Sequence, residues 1–363
     1  MKKSLIFFIP TLEIGGAEKN AVNILSGIDR KKYKIRLLLC KKQGDFLNNL
    51  PSDITISELG SLSSFLVFIR LINFFKKEKP DLFVSNLLRF NIISILAKII
   101  SGSRSKIIII EHTSLSQFSI YFFLTWVIYF LYKKADLIIT VSIGIADELK
   151  NIYKFGHKIR TIYNPIDIKK INTLSQKYLT NSIFNQKPVI VAVGRLVKAK
   201  DYPTLLMAFK IVFRKMQASL VILGEGSEEE NLKNLVKKLE ISDNVHFLGF
   251  KENPYNYMAN SSVFVNSSIR EGFGNVIVEA MACGVPVVAT NCRSGPGEII
   301  QDGVSGLLVE PRNSVELAEA ILKILKNQDF ALRLALGGQE RVKYFSAENS
   351  IKNYEKVFNE QLR

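Results

Sequence analysis

Short, uninterrupted apolar runs alternate along this chain with longer stretches in which apolar side chains return every third or fourth residue. The runs are Leu5–Ile9, Ile35–Leu39, Leu82–Val84, Ile107–Ile110 and Leu137–Val141. After a polar interval come Val189–Val193, Leu220–Leu223, Val245–Leu248 and Val263–Val265. Strands apolar on both faces, separated by helical patterns, predict parallel sheets covered on both sides, an α/β fold. Asn164-Pro165 breaks regular structure, and a Lys- and Asn-rich connector runs on to Gln186. The expected domain boundary therefore lies between 164 and 165, with a first domain of 1–164.

In parallel sheets ligands bind beyond the carboxyl ends of the strands, so the residues after each run are where chemistry is expected. Asn266–Glu310, which follows the run Val263–Val265, organises the rest. Glu271 and Glu279 stand eight residues apart there, with Gly272 and Gly274 between them and a helix predicted over Asn275–Cys283. Glycine lets backbone approach a ligand closely, and a helix N-terminus offers unpaired N–H groups to an anion. The segment thus provides a phosphate seat with a carboxylate on either side. An acid near a helix start is also favoured with no ligand present.

Three other loops add candidates. Val189–Val193 runs into Gly194–Asp201, which carries Arg195 and Lys200 ahead of a helix predicted over Tyr202–Met216. Arg supplies a planar fork and Lys a point charge, the two usual ways of holding a phosphate. Pro10–Glu18, after the first run, contains Gly15-Gly16 and enters a helical pattern that reaches Leu25. It fits a phosphate-facing turn or simply a tight turn that needs Gly. Ile107–Ile110 is followed by Glu111-His112; a structural His and a ligand-facing one both fit His112, whereas His157 and His246 read as structural or surface residues. Gly224-Glu225-Gly226 lacks the third Gly of a dinucleotide fingerprint, so NAD binding is not read from it.

Composition narrows the picture. The 363 residues suit two ordinary cores, and three scattered cysteines argue against a disulfide framework or a zinc site and for a reducing compartment. The +16 formal charge is concentrated early: residues 1–165 hold 24 Lys and Arg against 12 Asp and Glu. A basic half attracts anionic surfaces, membrane or nucleic acid. Met1–Pro10 begins like a signal peptide, but its apolar core is short and no cleavage site follows, so it is expected to be a buried strand of a protein that is not secreted. Ser64–Lys77 places Phe65, Phe68, Ile69, Ile72 and Phe75 at helical spacing with basic residues nearby, and Thr113–Tyr132 is uncharged and aromatic. Its apolar part, about fifteen residues, is short for a bilayer span and fits a core helix, an interfacial helix or an acyl-chain groove.

Together, GRLVKAKD (Gly194–Asp201), GEG (Gly224–Gly226), LGF (Leu248–Phe250) and EGFGNVIVEAMACGVPVVAT (Glu271–Thr290) resemble glycosyltransferase family 4; GGAE (Gly15–Glu18) and NPID (Asn164–Asp167) are similar to it as well. The resemblance implies a retaining, nucleotide-sugar-dependent enzyme of the GT-B fold, two Rossmann-like parallel-sheet domains facing across a cleft. The first would bind the acceptor and the second, 165–346, the donor, with the C-terminal helix, within 347–363, crossing back to the first. It also implies roles: Arg195 and Lys200 on the diphosphate, Glu279 on the ribose, Glu271 and His112 at the donor sugar. Backbone of Phe273, Gly274, Asn275 and Val276 would meet sugar and phosphate, and Gly15 and Gly16 would approach the diphosphate. No Asp-x-Asp occurs in the chain, so a reaction without metal or other cofactor is expected.

Cys292–Ile299 looks like the subset of the family that uses UDP-hexoses or N-acetylhexosamines in bacterial surface-glycan assembly. That implies a glycan or polyprenyl-linked acceptor, an anionic membrane surface as partner, and a cytoplasmic protein peripheral to the inner face of the membrane. Two rival classes stay open: a non-catalytic nucleotide-sugar-binding subunit, which loss of transfer on replacing Glu271 would exclude, and a nucleotide-sugar epimerase, which a changed sugar without acceptor would reveal. Nucleic-acid binding would explain the charge but not the two-carboxylate loop.

Overall fold

The computed structural model describes residues 2–13, 15–114, 122–153, 156–185 and 188–363. The chain divides into two compact units, Met1–Pro165 with Ala347–Arg363, and Ile166–Ser346. The division after Pro165 lies one residue beyond the boundary expected from Asn164-Pro165.

The first unit is built on strands β1 (Lys3–Ile9), β2 (Tyr33–Leu39), β3 (Thr55–Glu58), β4 (Leu82–Asn86), β5 (Lys106–Glu111), β6 (Leu137–Thr140) and β7 (Ile159–Thr161), in the order β3-β2-β1-β4-β5-β6-β7. Every neighbouring pair is parallel. Leu5, Phe7, Phe8 and Ile9 of β1 and Ile107–Ile110 of β5 have no exposed surface, as strands with helices on both faces require. The order turns back between β1 and β4, and that switch point is where an open α/β sheet leaves a crevice for ligand.

The last helix, Ala347–Gln361, belongs to this unit. Phe358 is fully buried edge-on to Tyr33, and Glu355 accepts from Lys32 Nζ and from the backbone N–H of Asp29, both at 2.8 Å. Gly27 meets Ile351 so closely that a Cβ would come within 1.9 Å of its Cδ1.

The second unit carries β8 (Val189–Val193), β9 (Ser219–Leu223), β10 (Val245–Phe247), β11 (Val263–Asn266), β12 (Val287–Thr290) and β13 (Leu307–Val309), all parallel, in the order β10-β9-β8-β11-β12-β13. Its core joins Ile190, Leu220, Ile222, Val263 and Val265 to Leu205, Phe209 and Ile321 of the covering helices. The switch point here lies between β8 and β11.

The hydropathy pattern passes over β3, β12 and β13. Each has three or four residues, too few to stand out as a run, and each is held mainly by its neighbour in the sheet. Residues 115–121 of the apolar stretch Thr113–Tyr132 lie outside the described residues. The helix Phe122–Tyr132 that follows buries Ile128 and Tyr132 and exposes Trp126 and Phe130, so its described face is part core, part surface. Among the described residues no helix is long and apolar enough to cross a membrane.

Candidate active site

The switch point of the second unit brings two distant loops together. Leaving β8, the backbone turns at Gly194 (φ +155°), and Gly224 (φ +135°) packs so closely behind it that a Cβ would lie 2.1 Å from the Gly194 oxygen. Tyr202 Oη donates to that same oxygen at 3.0 Å. The short turn Lys198–Lys200 is then tied to the loop after β11: Ile269 N donates to Ala199 O at 3.0 Å and Ser267 Oγ to Lys200 O at 2.8 Å.

These ties deliver Lys200 to Glu271. Three donors converge on a single carboxylate oxygen, Glu271 Oε1: Lys200 Nζ at 2.5 Å, Ser268 Oγ at 2.7 Å and Asn266 Nδ2 at 3.1 Å. Glu271 Oε2 accepts no hydrogen bond among the described residues. Only 10% of the Glu271 side chain is exposed. Burial opposes its charge, but the Lys200 ammonium and the three hydrogen bonds outweigh it and hold the carboxyl below the usual Glu range. The result is an ionised carboxylate with one oxygen committed and one available.

The neighbouring loop braces this one. Ser294 Oγ donates to Glu271 O at 2.7 Å, Thr290 Oγ1 donates to Ser268 O, and Gly295 (φ +94°) lies where a Cβ would be 1.9 Å from Phe273 O. Cys292 sits within it, its thiol pushed up to about 12 by burial and by the Glu271 charge.

The other candidates in this unit fall around the same loops. Arg195 is exposed on the Gly194–Lys200 loop, and its guanidinium makes no hydrogen bond or ion pair among the described residues. Gly274 (φ +99°) precedes the helix Asn275–Ala282, whose first N–H groups have no intrahelical acceptor. Asn275 and Val276 are half-buried there, and Glu279 is buried one turn further on. Phe273 turns its ring into the core against Phe345, 5.5 Å between centroids, leaving its backbone as the part a ligand could meet.

In the first unit, Gly15 caps the helix Gly16–Gly27 at the carboxyl end of β1, and the Glu18 carboxylate lies over it. His112 follows β5 and faces Asn86, the last residue of β4, with Nε2 3.0 Å from Asn86 Oδ1. Burial alone lowers the His112 pKa to about 4, so the ring is neutral. Beside it, Glu111 is buried and accepts on Oε1 from Asn91 Nδ2 at 2.7 Å and from Tyr132 Oη. Burial outweighs those two bonds and raises its pKa to about 7.

Sequence reasoning missed Asn86, Asn91, Glu111, Asn266, Ser268 and Ser294. Asn86, Glu111 and Asn266 shared one readable signal, a polar residue closing a buried parallel strand. Among the described residues no cluster of three or more His, Cys, Asp or Glu could hold a metal ion.

Comparison with known proteins decides the family. The family described as Glycosyltransferase Family 4 matches residues 14–170, and Glycosyl transferases group 1 matches residues 179–341. The N-acetylgalactosamine-N,N'-diacetylbacillosaminyl-diphospho-undecaprenol 4-alpha-N-acetylgalactosaminyltransferase of Campylobacter jejuni is 32% identical, over 94% of this chain and 96% of that one. The chain belongs to glycosyltransferase family 4.

This family 4 chain is also 29% identical to the capsular polysaccharide biosynthesis glycosyltransferase CapM of Staphylococcus aureus, over 86% of this chain and 85% of the relative. Its fold matches the Anabaena protein HepE, solved in complex with UDP, with a TM-score of 0.84 at 22% identity, over 99% of this chain and all of that one. The GT-B class expected from the resemblance is thereby shown, as two Rossmann-like units of seven and six parallel strands.

Proposed function

We propose that this glycosyltransferase is a retaining enzyme that moves a hexose or N-acetylhexosamine from a UDP-sugar to a lipid-linked or saccharide acceptor in bacterial surface-glycan assembly. The observation that carries this reading is the convergence of Lys200, Ser268 and Asn266 on one oxygen of Glu271, at the switch point of a doubly wound sheet. A diphosphate beside Lys200 would have a second cation in Arg195, five residues earlier on the same loop. As the glycosidic bond breaks, negative charge builds on the leaving diphosphate, and two preplaced cations lower the cost of that charge without a metal bridge. Glu271 Oε2 is the acceptor available to donor-sugar hydroxyls, Glu279 would bind the ribose hydroxyls, and the N–H groups at Phe273–Val276 suit sugar and phosphate oxygens. In the first unit His112 would contact the sugar, and Gly15-Gly16 would approach the diphosphate.

For retention we propose front-face attack, in which the leaving phosphate oxygen takes the acceptor's proton as the new bond forms. The names of the Campylobacter and Staphylococcus relatives, one acting on a diphospho-undecaprenol and one on a capsular polysaccharide, support the acceptor class. The helix Ser64–Glu78 supports attachment to the inner face of an anionic membrane. It exposes Phe65 (70%), Leu66 (44%) and Ile69 (40%) and carries Arg70, Lys76 and Lys77.

A thermal-shift panel of UDP, GDP and their sugars tests the donor. A UDP-sugar is expected to raise the melting temperature and to release UDP only with acceptor present, and a panel without any shift would contradict the reading. Flotation with anionic liposomes at low salt tests the membrane; protein left in the soluble fraction would remove that part.

A further inference from the structure

We infer that Asn86 is a positioning residue that fixes His112 as the Nε2–H tautomer, so that His112 Nδ1 presents a lone pair to a hydroxyl of the donor sugar. The inference rests on the proposed contact between His112 and the sugar, and adds the tautomer, its cause and the direction of the hydrogen bond.

The Asn86 amide cannot turn over without loss. Its Nδ2 donates to the Phe8 carbonyl at 3.1 Å, and that acceptor accommodates only a donor. Asn86 Oδ1 is therefore the atom facing His112 Nε2 at 3.0 Å, and two acceptors cannot share that contact, so Nε2 carries the proton. Asn86 has no exposed surface and ends β4; it pairs with Ile110 of β5, and the preceding residue, Ser85, pairs with Phe8 of β1.

The ring is neutral near pH 7, which leaves Nδ1 bare; it makes no hydrogen bond among the described residues. Its titratable neighbour in sequence, Glu111, the last residue of β5, is turned to Asn91 and Tyr132. Glu148, on the helix Ile143–Tyr153, takes the Ser114 hydroxyl. Burial is the sole cause of the His112 shift. A neutral Nδ1 acceptor suits a sugar hydroxyl and repels a phosphate oxygen, so the ring distinguishes the hexose end of a sugar nucleotide from its diphosphate.

The test is long-range proton–nitrogen NMR on the full-length chain labelled with 15N in histidine. Three histidines give three ring systems, and His112→Gln assigns one of them. His112 is expected to show a pyrrole-like Nε2 and a pyridine-like Nδ1 at neutral pH. Asn86→Ala should produce a mixture of tautomers, and Asn86→Asp an imidazolium, because a carboxylate against Nε2 favours the charged ring.

In parallel, UDP release from UDP-glucose and UDP-N-acetylglucosamine should fall about tenfold in Asn86→Ala, the worth of one mispresented hydrogen bond. In Asn86→Asp it should fall near neutral pH and recover as pH rises through the raised His112 pKa. A wild-type Nδ1–H tautomer, or one unmoved by Asn86→Ala, overturns the inference without needing activity. The predicted tautomer together with full activity in His112→Ala overturns the hydroxyl contact. Absence of UDP release from the wild-type chain with any acceptor would overturn the proposed function instead, and the NMR result would still decide the tautomer.

Discussion

Two largely buried carboxylates stand beyond or at the carboxyl ends of strands in this protein, one in each unit, and their environments drive them in opposite directions. Glu271 has three donors on one oxygen, one of them the Lys200 ammonium, and lies below the usual Glu range. Glu111 has two donors on one oxygen, the Tyr132 hydroxyl and the Asn91 amide, and rises to about 7. Both pay for desolvation. Two neutral hydrogen bonds do not offset it at Glu111, whereas a cation added to two neutral donors does so at Glu271. The second unit holds a charge ready for a polar ligand, and the first holds His112 as a free base beside Glu111, a carboxyl near its midpoint.

The largest effect expected from breaking this contrast is on transfer. Glu271→Gln keeps the shape and removes the charge; kcat should fall by about two to three orders of magnitude, as for loss of one preorganised charged partner. Nucleotide affinity, read by calorimetry, should change far less, and an unchanged kcat would sink the role.

Next comes Glu111, through pH. Its folded pKa is raised above the unfolded value, so its favourable contribution is complete below about pH 4.5 and is lost as pH climbs through about 7. Glu111→Gln removes that loss and should be more stable than the wild type by about 3 kcal/mol at alkaline pH, the two converging in acid. His112 acts the other way: its folded pKa is depressed to about 4, so the stability it contributes is present above about pH 6.5 and lost as pH falls toward 4. Denaturant melts of wild type and Glu111→Gln across pH separate the two, and parallel curves would contradict the assignment.

Lys200→Met should then make Glu271 resemble Glu111. Removing the cation leaves a buried carboxylate with two neutral donors, at a cost of about 2 kcal/mol near neutral pH. The sign of the pH dependence should reverse: in the wild type the Glu271 contribution is lost toward acid, and in the variant stability should decline as pH rises. The smallest effect is on the brace. Gly295→Ala combines φ +94° with a Cβ 1.9 Å from Phe273 O and should cost about 1–2 kcal/mol of stability while loosening the Glu271 loop.

Legibility from sequence followed the range of the interactions. The central strands of both sheets and the Gly-rich loops were readable because their signals lie within a few residues, as in Val189–Val193 running into Gly194. Lys200 and Glu271 were each visible as chemistry, but their contact joins positions 71 residues apart and exists because β8 and β11 are neighbours in the sheet, which no local pattern encodes. Ser268, Asn266 and Ser294 went unread for the same reason: a Ser or Asn in a loop is ordinary until folding aims it at a buried carboxylate. Asn86 and His112 likewise meet only through the β4–β5 pairing. The short strands β12 and β13 are fixed by neighbours more than by their own three or four residues.

The central claim is that the β8–β11 switch point, with Lys200 and Arg195 on its loop, seats the diphosphate of a nucleotide sugar. Calorimetric titration of UDP into the wild type, Arg195→Ala and Lys200→Met, each shown to be folded, tests it most directly. The account predicts UDP binding by the wild type, weakened at least about tenfold in each variant and weakened further in salt, as befits charge-assisted contacts. Equal UDP affinity in all three would contradict it.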